Sequence, residues 1–510
     1  MSLNRIGQSP WLASAILAFV VFGVTLGGTY IYDDHGIIRE DPRIAQPSRW
    51  GEFLTHSYNN GPDQLYRPLV SLTYAVQWWV HGDQAWAFHL VNLLLHAGVS
   101  ALVALLGMRL LSPAAGWIGG VLFAVHPVHV EAVAGIVGRA ELICAAGIVG
   151  AMVLLLRPIT SARAVGIVLC FLIAVLSKEQ GMLLPPLLAG LWWVRGDQLR
   201  KSDDRHAVML LAMLLVWLLA GYIVWRETVI GFWWDRQYLD WTLNPMVVSP
   251  SNPTGGSLGA DRWLMPLALL GRYVVMLLAP IDLRFEYGGM VIGPHVKAGD
   301  PYLWAGILAA VLWAVIAAVA WRKRNRAVVF LMIALALTYG MIGNIVALIG
   351  VNFAERLMYV PSVFFMLLIS TGLLHLPRRA VIGVTTALVL LGAAISFTYA
   401  QRWNNEIHFY QTSIERQPRS IRLRMLLVDA YRKAGRLDDA ARAAAEGRQV
   451  EADYWEIWWL SGVVAMEQGR FDEAQAFFER SLAINGDLKV SAWLSELSRR
   501  RAAATTRAGN

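Results

Sequence analysis

The chain has 510 residues, of which 56% are hydrophobic and only 16% charged, and its formal net charge is +8. That balance excludes an ordinary soluble globule and points to a polytopic membrane protein. Many of the 22 tryptophans, Trp78, Trp79, Trp193 and Trp233-Trp234 among them, stand where apolar runs end, and the basic clusters Arg195 to Arg205, Arg322 to Arg326 and Arg378-Arg379 form short loops between such runs; these are interfacial belts and anchors, not a nucleic-acid groove.

The first run, Trp11 to Ile31, is about as long as a bilayer is thick. It lacks a small-residue cleavage site and is expected to be a retained signal anchor. Asp33 and Asp34 stand at its exit. On position alone such a pair reads equally well as solvated interface groups or as the reactive end of a cavity. Residues 32 to 87 read as a first extracytoplasmic loop of short amphipathic helices lying on the membrane.

Further apolar runs follow at roughly 88 to 111, 115 to 134, 140 to 156, 163 to 177, 181 to 195, 207 to 225, 263 to 280, 302 to 321, 327 to 349, 357 to 376 and 380 to 399. With a cytoplasmic N-terminus, the basic loops at Arg109, Arg157 to Arg163 and Arg195 to Arg205 fall inside and the acidic pair outside. Keeping the two later basic clusters inside requires one run not to cross. The candidate is 263 to 280, interrupted by Arg272 and ended by Pro280. The expectation is an all-α fold with about eleven transmembrane helices and an outside C-terminus; twelve crossings with a cytoplasmic C-terminus is the alternative. Cys144 and Cys170 lie inside apolar runs and predict no disulfide framework.

The tail has soluble composition. Lys433 to Ala440 matches Glu467 to Ala474 at the spacing of about 34 residues that marks tetratricopeptide repeats. The expected boundaries are a membrane domain over 1–403 and a repeat domain over 404–510. A capping helix at 488 to 503 carries the stripe Val490, Trp493 and Leu497, and the physical use of such an array is a concave peptide-binding surface.

Three polar constellations interrupt the apolar runs on the expected outside face. His126, His129 and Glu131 include ligand types that suit several divalent ions, but their spacing is no specific metal signature. Arg139 and Glu141 read either as a structural pair or as the lining of a water-accessible cavity. Lys178-Glu179 and Glu355-Arg356 read either as independent interfacial groups or as a joint phosphate site, a point charge and a bidentate fork.

Tyr32-Asp33-Asp34, Tyr66 to Leu69, Phe88 to His96, His126 to Glu141, Leu176 to Gly181, Ala354 to Ser362 and the terminal repeats stand in the order found in the transmembrane and tetratricopeptide-repeat proteins, which the chain resembles over nearly its whole length. The resemblance implies a GT-C type helical membrane domain and a protein O-mannosyltransferase that uses a polyprenyl-phosphate sugar, with inversion at the anomeric carbon. It implies Asp33 as general base and Asp34 as a second catalytic carboxylate that orients the acceptor or stabilises positive charge developing on the sugar ring. Lys178 and Arg356 would neutralise the leaving phosphate, and His126, His129, Glu131, Arg139, Glu141, Glu179 and Glu355 would line the substrate pocket. No metal or other cofactor is expected, and the repeats would hold an extracytoplasmic acceptor protein. The repeat array is shorter than in animal members, so neither sugar nor acceptor carries over. A bacterial inner-membrane version with its site and repeats in the periplasm fits the compact size. A non-enzymatic scaffold and a transferase acting on lipid-linked glycans are the other readings.

Overall fold

The computed structural model describes residues 9–59, 65–195, 202–231, 243–247, 259–288, 291–485 and 488–508, and every regular element among them is helical. Trp233, Trp234 and the basic-loop residues 196–201 lie outside the described residues. The chain folds as two compact units, Met1–Gly288 with Gly293–Asn404, and Gly289–Ile292 with Asn405–Asn510.

The first unit begins with α1 (Pro10–Phe22), opened by a proline whose missing N–H costs a first turn nothing and continued by the 3-10 segment Gly23–Gly27. There follow α2 (Pro68–His81), α3 (Ala85–Leu110), α4 (Pro113–Val125), the short α5 (Val130–Ala134), α6 (Arg139–Leu155), α7 (Ser161–Val175) and α8 (Leu184–Arg195). The unit closes with α9 (Ser202–Ile230), α10 (Asp261–Leu278), α11 (Pro301–Arg322), α12 (Arg326–Ile342), α13 (Tyr359–Leu373) and α14 (Arg378–Arg402). Side-chain caps fix several starts: Ser112 accepts from the Ala115 amide, Thr160 from Arg163 and Asn325 from Val328. Such a cap contributes about 1 kcal/mol.

Among the described residues, seven segments are long and apolar enough to cross a membrane, and α4 with the bent continuation Pro127–Ala134 makes up to eight. This is fewer than the eleven crossings expected from hydropathy. The run at 163 to 177 yields only the 15 residues of α7. The run at 181 to 195 opens with the 3-10 turn Glu179–Leu183, which leaves 12 residues for α8. The run at 327 to 349 yields only the 17 residues of α12. The run at 263 to 280, the one expected not to cross, forms α10, which carries Asp261, Arg262 and Arg272 and is outside the apolar set.

The segment after α1 is a packed layer, not a set of separate interfacial helices. Tyr30, Ile37, Ile38, Ile44, Phe53 and Tyr58 form one buried cluster with Tyr74 of α2, Phe88 of α3 and Ala140 of α6. Arg43, fully buried, ties the layer together: its guanidinium forks onto Asp41 and donates to the carbonyls of Ser57 and Tyr58 at 3.1 and 3.0 Å. A fork that uses nearly all its donors is how a buried charge is tolerated.

The second unit contains α15 (Glu406–Arg416), α16 (Ile421–Lys433), α17 (Leu437–Val450), α18 (Trp455–Glu467), α19 (Phe471–Asn485) and α20 (Leu488–Ala508). Gly435 and Gly469 both take left-handed φ, 72° and 77°, at the equivalent turns of the two hairpins. Val463, Phe478, Val490 and Leu497 share a core with Trp493, so the stripe on α20 covers the end of the array.

Candidate functional site

The chain leaves the Gly23–Gly27 turn and reaches Tyr32, whose backbone is left-handed at φ 57°. The amides of Asp34 and His35 then bond back to the carbonyls of Ile31 and Tyr32, both at 3.2 Å. This tight turn sends the two carboxylates to different places. Asp34 is fully buried and accepts from the amides of Ile31 (3.1 Å), Ile136 (3.4 Å) and Val137 (2.9 Å). The last two amides belong to the 3-10 turn Ile136–Gly138 that opens α6, where helical N–H groups lack intrahelical acceptors. Burial pushes Asp34 up to about 7 against the opposing pull of those three amides. Its geometry is that of an anchor.

Asp33, half-buried, lines a small cavity together with Tyr32, Glu131, Phe285, Arg356 and Trp403. Glu131 stands on α5, just past the break at Pro127, where the imidazole of His126 accepts from the Val128 amide and replaces the lost ladder bond. Arg356 belongs to the 3-10 turn Glu355–Met358 that leads into α13. Glu131 accepts from the Arg356 amide at 2.8 Å and pairs with its guanidinium. The carboxylate is nearly fully enclosed while the arginine side chain keeps 28% of its surface. The exposed remainder faces the cavity, within electrostatic reach of Asp33. The site therefore sets one accessible carboxylate beside one accessible guanidinium, the pairing that proton abstraction next to an anionic leaving group requires.

A second polar cluster joins the other expected residues. Lys178 pairs with Glu141, and Glu179 pairs with Arg67 at 3.4 Å. Burial raises Glu179, but Arg67, its own backbone amide and Lys178 outweigh it and leave the carboxyl below the usual range. Arg67 also faces the Tyr58 ring and lies within reach of Glu141 and Arg356, so the two clusters adjoin. Lys178 and Glu141 do not line the Asp33 cavity.

Four expected pocket residues are placed elsewhere. Arg139 is fully buried in the helix core: its guanidinium donates to Asn92 Oδ1 (2.9 Å), the Phe88 carbonyl (2.9 Å) and Thr73 Oγ1 (3.3 Å), and lies over the Tyr74 ring. These partners hold the guanidinium among α2, α3 and α6. His126 pairs with the Leu277 carbonyl at 3.0 Å, and His129 with Ser362 at 2.9 Å, so both rings join helices to one another. Glu355 is fully enclosed, where it accepts from the Tyr287 hydroxyl (2.8 Å) and the Arg284 amide (2.7 Å). Among the described residues, no three or more His, Cys, Asp or Glu side chains stand close enough to share a metal ion.

Sequence reasoning overlooked Phe285 and Trp403 as cavity residues and gave Arg67 no role. Arg67 lies in the Tyr66 to Leu69 motif, which was a usable signal. Nothing local marks Phe285, and Trp403 looks like one more interfacial tryptophan at the end of an apolar run.

An all-α, polytopic integral membrane unit carrying an acid–guanidinium cavity at the exit of its first helix, followed by a repeat unit, defines the class. A family model described as tetratricopeptide repeat matches residues 425–488. Over 461 residues, 86% of the chain, the sequence is 23% identical to a protein O-mannosyl-transferase of Caenorhabditis elegans, of which 61% is covered. Over 134 residues, 24% of the chain, it is 37% identical to protein O-mannosyl-transferase TMTC2 of Mus musculus, and over 140 residues, 23% of the chain, 32% identical to TMTC4 of Homo sapiens. The aligned stretches span 16% and 19% of those two proteins. The chain is thus TMTC-like: a repeat-bearing, helical membrane protein.

Proposed function

We propose that the chain is an integral-membrane glycosyltransferase of GT-C type, which moves a hexose, mannose in the first instance, from a polyprenyl phosphate to a hydroxyl of an extracytoplasmic protein. The observation that carries this reading is the placement of Asp33 and Arg356 in one cavity, with Asp34 locked into the start of α6 behind them. The names of the relatives support the same class of reaction.

In the proposed step Asp33 takes the proton of the acceptor hydroxyl as that oxygen forms its bond to the anomeric carbon. The bond from that carbon to the phosphate oxygen breaks, and the polyprenyl phosphate leaves with the electron pair. One displacement inverts the anomeric carbon. Arg356 meets the departing anion, so no general acid is needed. Lys178 and Arg67, each already held by a carboxylate, extend the positive field behind it. Asp34 acts through geometry: it fixes the turn that aims Asp33. The cavity and the repeats would share the outer, periplasmic face, with the repeats holding the acceptor.

The test is mass spectrometry of extracytoplasmic proteins from cells that carry the full chain, the D33N variant or neither. Removing a general base lowers rate by about 10²- to 10⁴-fold. Hexose-bearing peptides are therefore expected with the full chain and absent with D33N, whose accumulation is checked by immunoblot of the same membranes. Equal hexosylation in all three cell lines would refute the transferase reading and favour a scaffold.

A further inference from the structure

Tyr32 is one of three residues other than glycine with positive φ among the described residues, the others being Arg324 and Asn344. Asparagine tolerates this region; a bulky ring there is an outlier that persists only where its surroundings hold it. Glycine would make the same turn without strain. The ring at position 32 therefore serves something that a bare backbone cannot.

The ring stands edge-on to Phe285, with centroids 5.2 Å apart, and Phe285 stands edge-on to Trp403 at 5.7 Å. These residues come from the turn after α1, the loop after α10 and the end of α14. All three line the Asp33 cavity. Gly135, also in the lining, packs against the same indole. The lining thus joins an aromatic surface to carboxylates and a guanidinium. A pyranose has matching chemistry, an apolar C–H face and a rim of hydroxyls.

We propose that Tyr32 is the sugar-positioning residue of the site: its ring, braced by Phe285 and Trp403, takes the C–H face of the donor pyranose, and its left-handed backbone aims Asp33 at the acceptor hydroxyl that attacks the anomeric carbon. This rests on the transferase reading above.

The experiment measures initial rates of mannose transfer to protein in membranes carrying the full chain, with a labelled short-chain polyprenyl-phosphate mannose as the varied donor. Y32G keeps the turn and removes the ring, so donor KM rises about tenfold, the loss of one good aromatic contact. Y32F keeps the ring and recovers most of the donor affinity. Y32A removes the ring and leaves the strained backbone unsupported, so its kcat falls below that of Y32G. Y32L, which fills the space without a π-face, repeats the KM effect should Y32G fail to accumulate. An unchanged donor KM in Y32G or Y32L, or Y32F as damaged as Y32G, overturns the sugar-facing role. Equal kcat in Y32A and Y32G overturns the backbone role. D33N in the same membranes separates the two levels: wild-type transfer no higher than D33N sinks the transferase reading, whereas an inactive D33N beside an unaltered Y32G sinks only this inference.

Discussion

The burial of Asp34 makes a quantitative claim about pH. In the fold its carboxyl holds a proton up to about pH 7, while in the unfolded chain it ionises near the ordinary value of 3.8. Between those values the folded state binds more protons than the unfolded one, so stability is highest at the acidic end and falls as pH rises. One such group lowers stability by about 1.4 kcal/mol per pH unit, about 4 kcal/mol across the window, with no further loss above it. D34N removes this titration. The amide still accepts one bond but turns an N–H₂ toward the remaining backbone donors, which costs about 1–3 kcal/mol at any pH. Thermal unfolding of the detergent-purified chain at half-unit steps from pH 5 to 8, followed by tryptophan fluorescence, measures both effects. Wild type is expected to lose stability steadily up to pH 7 and D34N to be less stable at pH 5 with a flatter profile. The difference between the two curves isolates Asp34 from every other group. Parallel curves would show that Asp34 titrates alike in both states and would refute its role as a buried anchor.

Two further substitutions separate structure from chemistry. K178M leaves Glu141 as an uncompensated buried charge and is expected to destabilise by about 3–5 kcal/mol, whereas the double variant K178M/E141L restores most of that stability. If Lys178 contributes to the phosphate field, the double variant unfolds normally yet transfers sugar slowly; full activity in it would remove Lys178 from the site. For Arg139, both R139Q and R139K should lower the yield of monodisperse protein on size exclusion, because neither side chain reproduces the fork to Asn92, Phe88 and Thr73. A well-folded R139Q with a raised donor KM would return that residue to the substrate pocket.

Much of the architecture was legible because two periodic signals are strong. Long apolar runs produce helices, and the repeat spacing recurs in the backbone itself, where Gly435 and Gly469 make the same left-handed turn. The crossing number was less legible because 3-10 turns at Pro127–His129, Glu179–Leu183 and Glu355–Met358 interrupt apolar stretches. A proline announces the first, and Gly181 with Pro185-Pro186 marks the second, but such signals inside an apolar stretch do not say whether it still crosses. The site was legible in part for a related reason. Asp33 and Arg356 stand out as charges among apolar residues, and so does Arg139, yet Arg139 finds its partners on α2 and α3, more than 40 residues earlier in the chain. Hydropathy cannot distinguish a charge satisfied by distant backbone and amide groups from one left for a ligand. The division of labour within Asp33-Asp34 was hidden as well, since it follows from the φ of Tyr32, where no glycine gives the turn away.

The pairing of cations with carboxylates bears on how a donor phosphate would be received. Arg356 is held by Glu131, Lys178 by Glu141 and Arg67 by Glu179, with side-chain exposures of 28%, 7% and 17% for the three cations. Each pairing limits the cost of keeping a charge out of water before substrate arrives. Each also fixes a donor in place, so that little reorganisation accompanies the growth of negative charge on a leaving group. A phosphate must then share these cations with glutamates, and it gains most from the cation with the most free surface. That cation is Arg356, the one that also shares a cavity with Asp33. On the proposed reading the leaving group and the base are therefore set by the same two turns: the one at Tyr32, which places Asp33 at the cavity while locking Asp34, and the one at Glu355–Met358, which presents Arg356 while enclosing Glu355.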